Sequence, residues 1–158
     1  MFSGKLVQAV LHKAVVLPTL SVTNATLYNG AAATAASGTG LDTLSYDDVN
    51  FVLSSGSFGT TANLAVSIYE NSVDNGVTAT AIPTSSFTAV TTANHQGIQV
   101  GSITARDHKR YLWAVSVQTG SATTQFGITA VLGQADLVAV SNSPVFDLTG
   151  DASPSQAL

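Results

Sequence analysis

Four segments of this chain alternate apolar and polar residues with a period of two. In "DVNFVLS", Val49, Phe51 and Leu53 point one way while Asn50 and Ser54 point the other. In "NLAVSIYE", Leu64, Val66 and Ile68 alternate with Asn63, Ala65, Ser67 and Tyr69. Tyr111, Trp113, Val115 and Val117 share one face of "RYLWAVSVQ", and Phe126, Ile128, Ala130 and Leu132 share one face of "QFGITAVL". This period, with many β-branched and aromatic residues, is the signature of a strand with one buried face. Weaker runs lie at 20–28, 31–36, 86–91, 97–103 and 136–141. Between the runs sit Asn29-Gly30, Ser55-Gly56, Asp74-Asn75-Gly76 and Gly120-Ser121. They read as turns, because Asn and Gly accept the positive φ angles of tight hairpins. Every strand has an apolar face to hide, so two sheets must close on each other. The expected fold is all-β, a β-sandwich of jelly-roll type.

The chain of 158 residues suits one domain. Its two ends stand outside the strand pattern. Residues 1–17 read as a short helix or an arm, 18–141 as the sandwich, and 142–158 as an extended tail. A helix over 3–16 would be capped by Ser3, with Leu6, Val10 and Ala14 on one stripe and Pro18 as its stop. The alternative is an extended arm lying on a neighbouring subunit. The tail, "SNSPVFDLTGDASPSQAL", has loop composition yet carries Val145, Phe146 and Leu148. A free tail has little use for three apolar residues so close together, so docking on another subunit is expected. Leu6, Val10, Val145, Phe146 and Leu148 are therefore the candidate contact residues.

What covers the sandwich matters for its partners. Charged residues make up 9% of the chain, against about 25% in an ordinary soluble domain. Ser, Thr, Ala, Gly and Asn must form the exterior. Such a surface repels weakly and needs little desolvation when it meets another surface, which favours lasting association. The net charge of −4 argues against a nucleic-acid binder, which needs a basic face. Cysteine is absent, which removes disulfides, thiolate-bound zinc and iron–sulfur clusters. Mean hydropathy is +0.31, but no apolar run reaches the roughly 18 residues of a spanning helix. Gln8, His12 and Lys13 interrupt what would be the apolar core of a secretory signal, so none is expected. The sequon Asn24-Ala25-Thr26 then carries no glycan.

The cations cluster in one place. Of the 5 Lys and Arg residues, Arg106, Lys109 and Arg110 fall within "RDHKRY" beside Asp107 and His108. Asp107 and His108 have the makings of an oriented base, and three cations can hold a phosphate. A polar turn feeding the strand that begins near residue 110 explains the same residues more simply. Lys109 and Arg110 would then form a charged rim able to meet carboxylates of a partner. Trp113 lies in the strand's apolar register, so it is expected in the core rather than exposed as a sugar platform. Asp47 and Asp48, or Glu70 with Asp74, offer oxygens for calcium but lack the spacing of an EF-hand loop. His12, His95 and His108 share no zinc-ligand spacing. A nucleophile elbow, a phosphate-binding Gly loop and a dinucleotide fingerprint are all missing. Neither enzyme activity nor a cofactor is expected.

Several segments resemble a group of small structural proteins of tailed bacteriophages. A "D-x-x-x-[YF]-[DE]-[DS]-V-x-F-V" strand is met here by Asp42, Tyr46, Asp47, Asp48, Val49, Phe51 and Val52. An "E-x-S-x-D" loop corresponds to Glu70, Ser72 and Asp74, a "K-R-Y-[LV]-x-[AV]" strand to Lys109 through Ala114, and a closing "A-V-L-G" to Ala130 through Gly133. The resemblance spans roughly residues 20–134. It implies a virion protein of the head-decoration or cement kind, trimeric, made in the host cytoplasm and bound to the major capsid protein on the outer capsid surface. No catalytic residue, membrane or nucleic acid belongs to that expectation. Other virion parts, a tail or head-completion protein, share the same sequence character, and a carbohydrate-binding sandwich is the further alternative.

Overall fold

Strands and single turns of 3-10 helix make up all the regular structure among the described residues. A computed structural model describes residues 11–133, and within the first strand the side chains of Val15, Val16 and Val22. The strands are β1 Leu11–Val22, β2 Thr26–Tyr28, β3 Ala31–Ala32, β4 Leu41–Asp42, β5 Asp48–Phe58, β6 Asn63–Asn71, β7 Thr80–Ser86, β8 Val90–Thr91, β9 Ile98–Thr104, β10 Tyr111–Thr119 and β11 Thr124–Gly133.

One sheet has the order β1-β11-β5-β9 and the other β3-β2-β10-β6-β7, with β4 alongside β10 and β8 alongside β6. Each pairing is antiparallel. Without the two-residue strands, β1 pairs β11, β2 pairs β10, β5 pairs β9 and β6 pairs β7. These nested pairs are the jelly-roll order, a long hairpin ribbon wrapped into two sheets. The expected fold class is the observed one.

The inner faces follow the alternation closely. Val49, Phe51 and Leu53 of β5 are buried opposite Leu132, Ala130 and Ile128 of β11. Leu64, Val66 and Ile68 of β6 lie opposite Gln118, Ser116 and Ala114 of β10. Large side chains meet smaller ones at Phe51 with Ala130 and at Ile68 with Ala114, which lets the layers interdigitate. Val16, Leu41, Ile82, Val90 and Ile103 belong to the same cluster. Each such side chain contributes roughly 1.5–3 kcal/mol when removed from water.

Four expectations need correction. Leu11–Val22 is a strand paired to β11, so no helix occupies 11–16, and Pro18 lies within the strand rather than ending an element. Residues 1–10, with Leu6 and Val10, lie outside the described residues. Because β1 belongs to the sheet, the sandwich begins before the boundary set at residue 18. Ser55-Gly56 is not a turn, since β5 runs through it. The register with β11 instead slips between Ser55 and Phe58, a bulge of the kind a glycine inside a strand allows.

The fourth correction concerns β10. Tyr111, Trp113, Val115 and Val117 do share a face, but it is the outer one. Leu112 and Ala114 enter the space between the sheets, and Trp113 pairs with Tyr69 on the opposite face. Trp113 is nevertheless fully buried, at 0% exposure. A Cβ at Gly40 would lie 2.7 Å from its ring and one at Gly76 would lie 2.9 Å from it, so two connecting segments cover it. Alternation alone does not say which face is inner when both are apolar.

Phe51→Ala removes the more deeply buried of the two phenylalanines of β5, at 0% exposure, and should cost about 3–5 kcal/mol in urea unfolding. Ser116 is buried and its Oγ has no hydrogen-bond partner. Ser116→Ala should therefore leave stability unchanged or raise it by up to about 1 kcal/mol. A loss greater than about 1 kcal/mol for Ser116→Ala would show that its hydroxyl is satisfied.

Candidate functional site

Among the described residues, charged side chains gather at one end of the sandwich. There β4 ends at Asp42, β5 begins at Asp48, β6 runs out past Glu70, and the turn Ala105–Asp107 leads through His108, Lys109 and Arg110 into β10. Ala105 is buried and its N–H donates to the Asp47 carbonyl. That anchor turns the neighbouring polar side chains outward.

Each cation of the cluster meets a carboxylate of its own chain. Arg110 grips Asp42 with two parallel bonds, Nε to Oδ1 at 2.9 Å and Nη2 to Oδ2 at 2.7 Å. Its guanidinium carbon lies 5.0 Å from the centre of the Tyr111 ring. The Asp42 hydrogen bonds hold the Arg110 pKa above its ordinary value, against a smaller opposing effect of lost solvation. Arg106 donates through Nε to Asp47. Glu70 is the hub of the remainder. Its Oε2 accepts from the Lys109 N–H at 3.1 Å and lies 2.9 Å from His108 Nδ1, and its Oε1 is 3.7 Å from Lys109 Nζ. Lys109 Nζ also donates to Thr80 Oγ1 at 3.3 Å. Burial is the largest influence on the Glu70 carboxyl and would raise its pKa. The Lys109 N–H, the His108 bond and the nearby positive charges outweigh it and hold the carboxyl below its usual range.

Lys109 and Arg110 therefore find at home the carboxylates expected on a partner. Their side chains remain 45% exposed, so a rim contact stays open to them. His108 is oriented by Glu70 and not by its neighbour Asp107. A carboxylate on Nδ1 is half of a catalytic relay, whose other half is a nucleophile on the second ring nitrogen. Among the described residues no hydroxyl hydrogen-bonds to His108. A shallow depression of about 260 Å³ opens beside it, lined by Thr43, Ser45, Tyr46, Asp47, Arg106 and Arg110 among others.

The other candidates divide clearly. Val145, Phe146 and Leu148, like Leu6 and Val10, lie outside the described residues, as does the run 136–141. Burial of Trp113 removes the largest ring of a sugar platform and leaves Tyr28 and Tyr69, both half-buried and edge to face with centroids 6.5 Å apart. Three of the four candidate calcium carboxylates are engaged elsewhere: Asp74 Oδ1 accepts from the Gly40 N–H at 2.8 Å, Glu70 serves His108 and Lys109, and Asp47 accepts from Arg106. Among the described residues no group of three or more His, Asp or Glu side chains is placed to hold a metal ion.

Sequence reasoning missed the Glu70 hub and the Asp42–Arg110 fork. Those partners are 38 and 68 positions apart, so no local spacing reveals them. It also missed the role of Asn29. The residue forms the expected turn, with φ 49° and Gly30 at 82°. Its side chain then reaches β10, with Nδ2 donating to the Thr39 and Leu112 carbonyls and Oδ1 accepting from the Ala114 N–H. One side chain thus ties the β2–β3 hairpin, the segment before β4 and the middle of β10 together.

No protein-family model matches this chain, and no curated protein matches it. Among solved structures, a similar chain comes from Bacillus endospore appendages, described as a novel family of disulfide-linked pili. The two are 12% identical over 86% of this chain and 97% of the other, with a TM-score of 0.49. Likeness of that degree carries no argument about what this chain does.

Because the Glu70 pKa is lowered on folding, its stabilising contribution is present above the ordinary value of 4.5 and is lost as pH falls through the lower folded value. Glu70→Gln should therefore be less stable than the parent near neutral pH, with the gap closing in acid. Urea midpoints measured across that range check it. A gap that stays constant or widens below the ordinary carboxylate value would rule out an ionised Glu70 as the hub.

Proposed function

We propose that this chain is a virion structural protein, a head-decoration or cement protein of a tailed bacteriophage. In this reading it sits on the outer capsid surface, bridges subunits of the major capsid protein and stabilises the DNA-filled head. The observation that carries the reading is an exterior nearly free of charge around a closed core. Among the described residues the charged side chains concentrate at one end of the sandwich, where most are already paired. A surface of that kind loses little solvation energy when covered. A stable contact of the order of 1,200–2,000 Å² is then accessible.

The sequence resemblance over residues 20–134 supports the same reading. The jelly roll by itself favours no single role, since capsid proteins, lectins and cupins all use it. The mechanism is mechanical. Modest contacts, repeated over many copies, add up to resistance against the outward pressure of packaged DNA. The apolar residues near the chain ends, Leu6, Val10, Val145, Phe146 and Leu148, reach neighbouring subunits. Lys109 and Arg110 supply a polar rim. No bond is made or broken, so the protein needs neither nucleophile nor cofactor.

Heads of the phage that encodes this chain, assembled without it, provide the test. Added protein should bind to saturation at a fixed number of copies per head and raise the temperature at which the heads release DNA. Removing residues 143–158 should lower that occupancy. Full occupancy after separate removal of 1–10 and of 143–158 would eliminate the arm contacts, and absence of any binding would overturn the reading itself.

A further inference from the structure

A sheet edge offers unpaired backbone groups to any strand that fits, and proteins ordinarily defend such edges with charge, proline, bulges or shortness. The two sheet paths end in four edge strands, of which three are defended, and the off-path edges β4 and β8 are only two residues long. The β1 edge contains Lys13 and Pro18 and breaks register twice against β11. The β7 edge contains Pro83, slips against β6 between Ser67 and Tyr69, and bends at Thr84, whose φ is +63°. The β3 edge is two residues long. The fourth edge, β9, has none of these devices. Its sequence IQVGSIT has no charge and no proline, and seven successive residues pair with β5 without a shift.

The hydrogen bonds at either end of β9 fix which groups face outward. The Gly97 carbonyl accepts from Ser55 and the Ala105 N–H donates to Asp47, both toward β5. Alternation then turns the N–H and C=O of Ile98, Val100, Ser102 and Thr104 toward the open edge. Among the described residues none of these groups has a hydrogen-bond partner. The nearest strand of the other sheet does not supply one. The segment after β7 is held by the Gln99 side chain, which accepts from the Thr88 N–H and donates to the Thr88 carbonyl, each at 2.9 Å. The same stretch exposes two large apolar side chains, Ile98 at 73% and Val100 at 65%.

We propose that β9 is an assembly edge and that its occupant is β9 of a second copy of this chain, paired antiparallel about a twofold axis. The partner edge must be equally free and uncharged, and among the described edges only β9 qualifies. The strand is also complementary to itself. With the axis at Gly101, Ile98 falls opposite Thr104 of the second copy and Val100 opposite Ser102. Every outward-facing residue then meets an outward-facing residue, no like charges approach, and the two four-stranded sheets become one of eight. Val52 is the cross-strand neighbour of Val100, so each copy brings an apolar Val52–Val100 pair to the junction, where Val100 meets Ser102 of the other copy. This contact does not depend on the capsid reading, and it gives a twofold dimer rather than the trimer that the phage resemblance implies.

The full-length chain settles this through its mass in solution and its residue-resolved amide exchange. The parent should have twice the chain mass of 16.1 kDa, with the amides of Ile98, Val100, Ser102 and Thr104 as protected as those of Gln99, Gly101 and Ile103. Ser102→Pro removes an outward donor and leaves the ladder to β5 intact. Val100→Lys places an edge-guarding charge at an exposed site that folding does not depend on. Both should return the mass to one copy and free the outward amides that remain, three in Ser102→Pro and four in Val100→Lys, while Gln99, Gly101 and Ile103 stay protected. A parent of one copy or three, a dimer whose outward amides exchange freely, or a dimer that persists in both variants overturns the proposal.

Discussion

Burial of β10 on both of its faces is the constraint around which the rest of this molecule is arranged. Leu112 and Ala114 close the space between the sheets, while Trp113 and Val115 on the other face are also removed from water. A sheet interior covers one face only. The second must be covered by connections, and these segments are built for close approach. Gly40 and Gly76 lie where any side chain would strike the indole. Asp74 pins the first segment through the Gly40 N–H, and Asn29 fastens it to β10 from the other side. The indole N–H is 3.4 Å from Thr39 Oγ1 within the same cover.

The same arrangement accounts for where charge is found. With both sides of β10 sealed from Leu112 to Ser116, the approach turn before it stays in water, and the cations stand there. The ion pairs join β4, β6 and the Ala105–Asp107 turn across the end of the sandwich. Pairs as exposed as Arg110 with Asp42 contribute little to stability. Their larger consequence is distributive, since charge collected and neutralised at one end leaves few charged side chains elsewhere among the described residues. That exterior suits lasting contact with other protein surfaces, and it makes the undefended β9 edge a feature to explain.

Much of the architecture is legible in the sequence, for reasons that differ by element. The inner faces of β5, β6 and β11 follow from alternation because their outer residues, such as Asn50, Ser54, Asn63 and Ser67, are polar. For β10 both sets are apolar or small, and alternation gives the face-sharing without its direction. The Asn29-Gly30 turn is readable because both residues take positive φ. Ser55-Gly56 misleads, because a glycine inside a strand signals a bulge as readily as a turn. The helix over 3–16 fails across 11–16 because an apolar spacing of four is equally compatible with a strand, and β11 offers that stretch a pairing edge. β4 and β7 leave little trace, being two residues long in one case and broken by Pro83 in the other. The charged end was legible as a cluster of cations. Its carboxylate partners were not, because the fold alone brings Glu70 and Asp42 to it.

Trp113 is the single tryptophan, so the cover over the outer face of β10 has its own spectroscopic probe. Emission of the native chain, measured with increasing acrylamide, tests that cover most directly. A sealed indole predicts blue-shifted emission that the quencher hardly reaches until the protein unfolds. Red-shifted emission, quenched in the native state as readily as in the unfolded chain, would contradict two-sided burial and the architecture built on it.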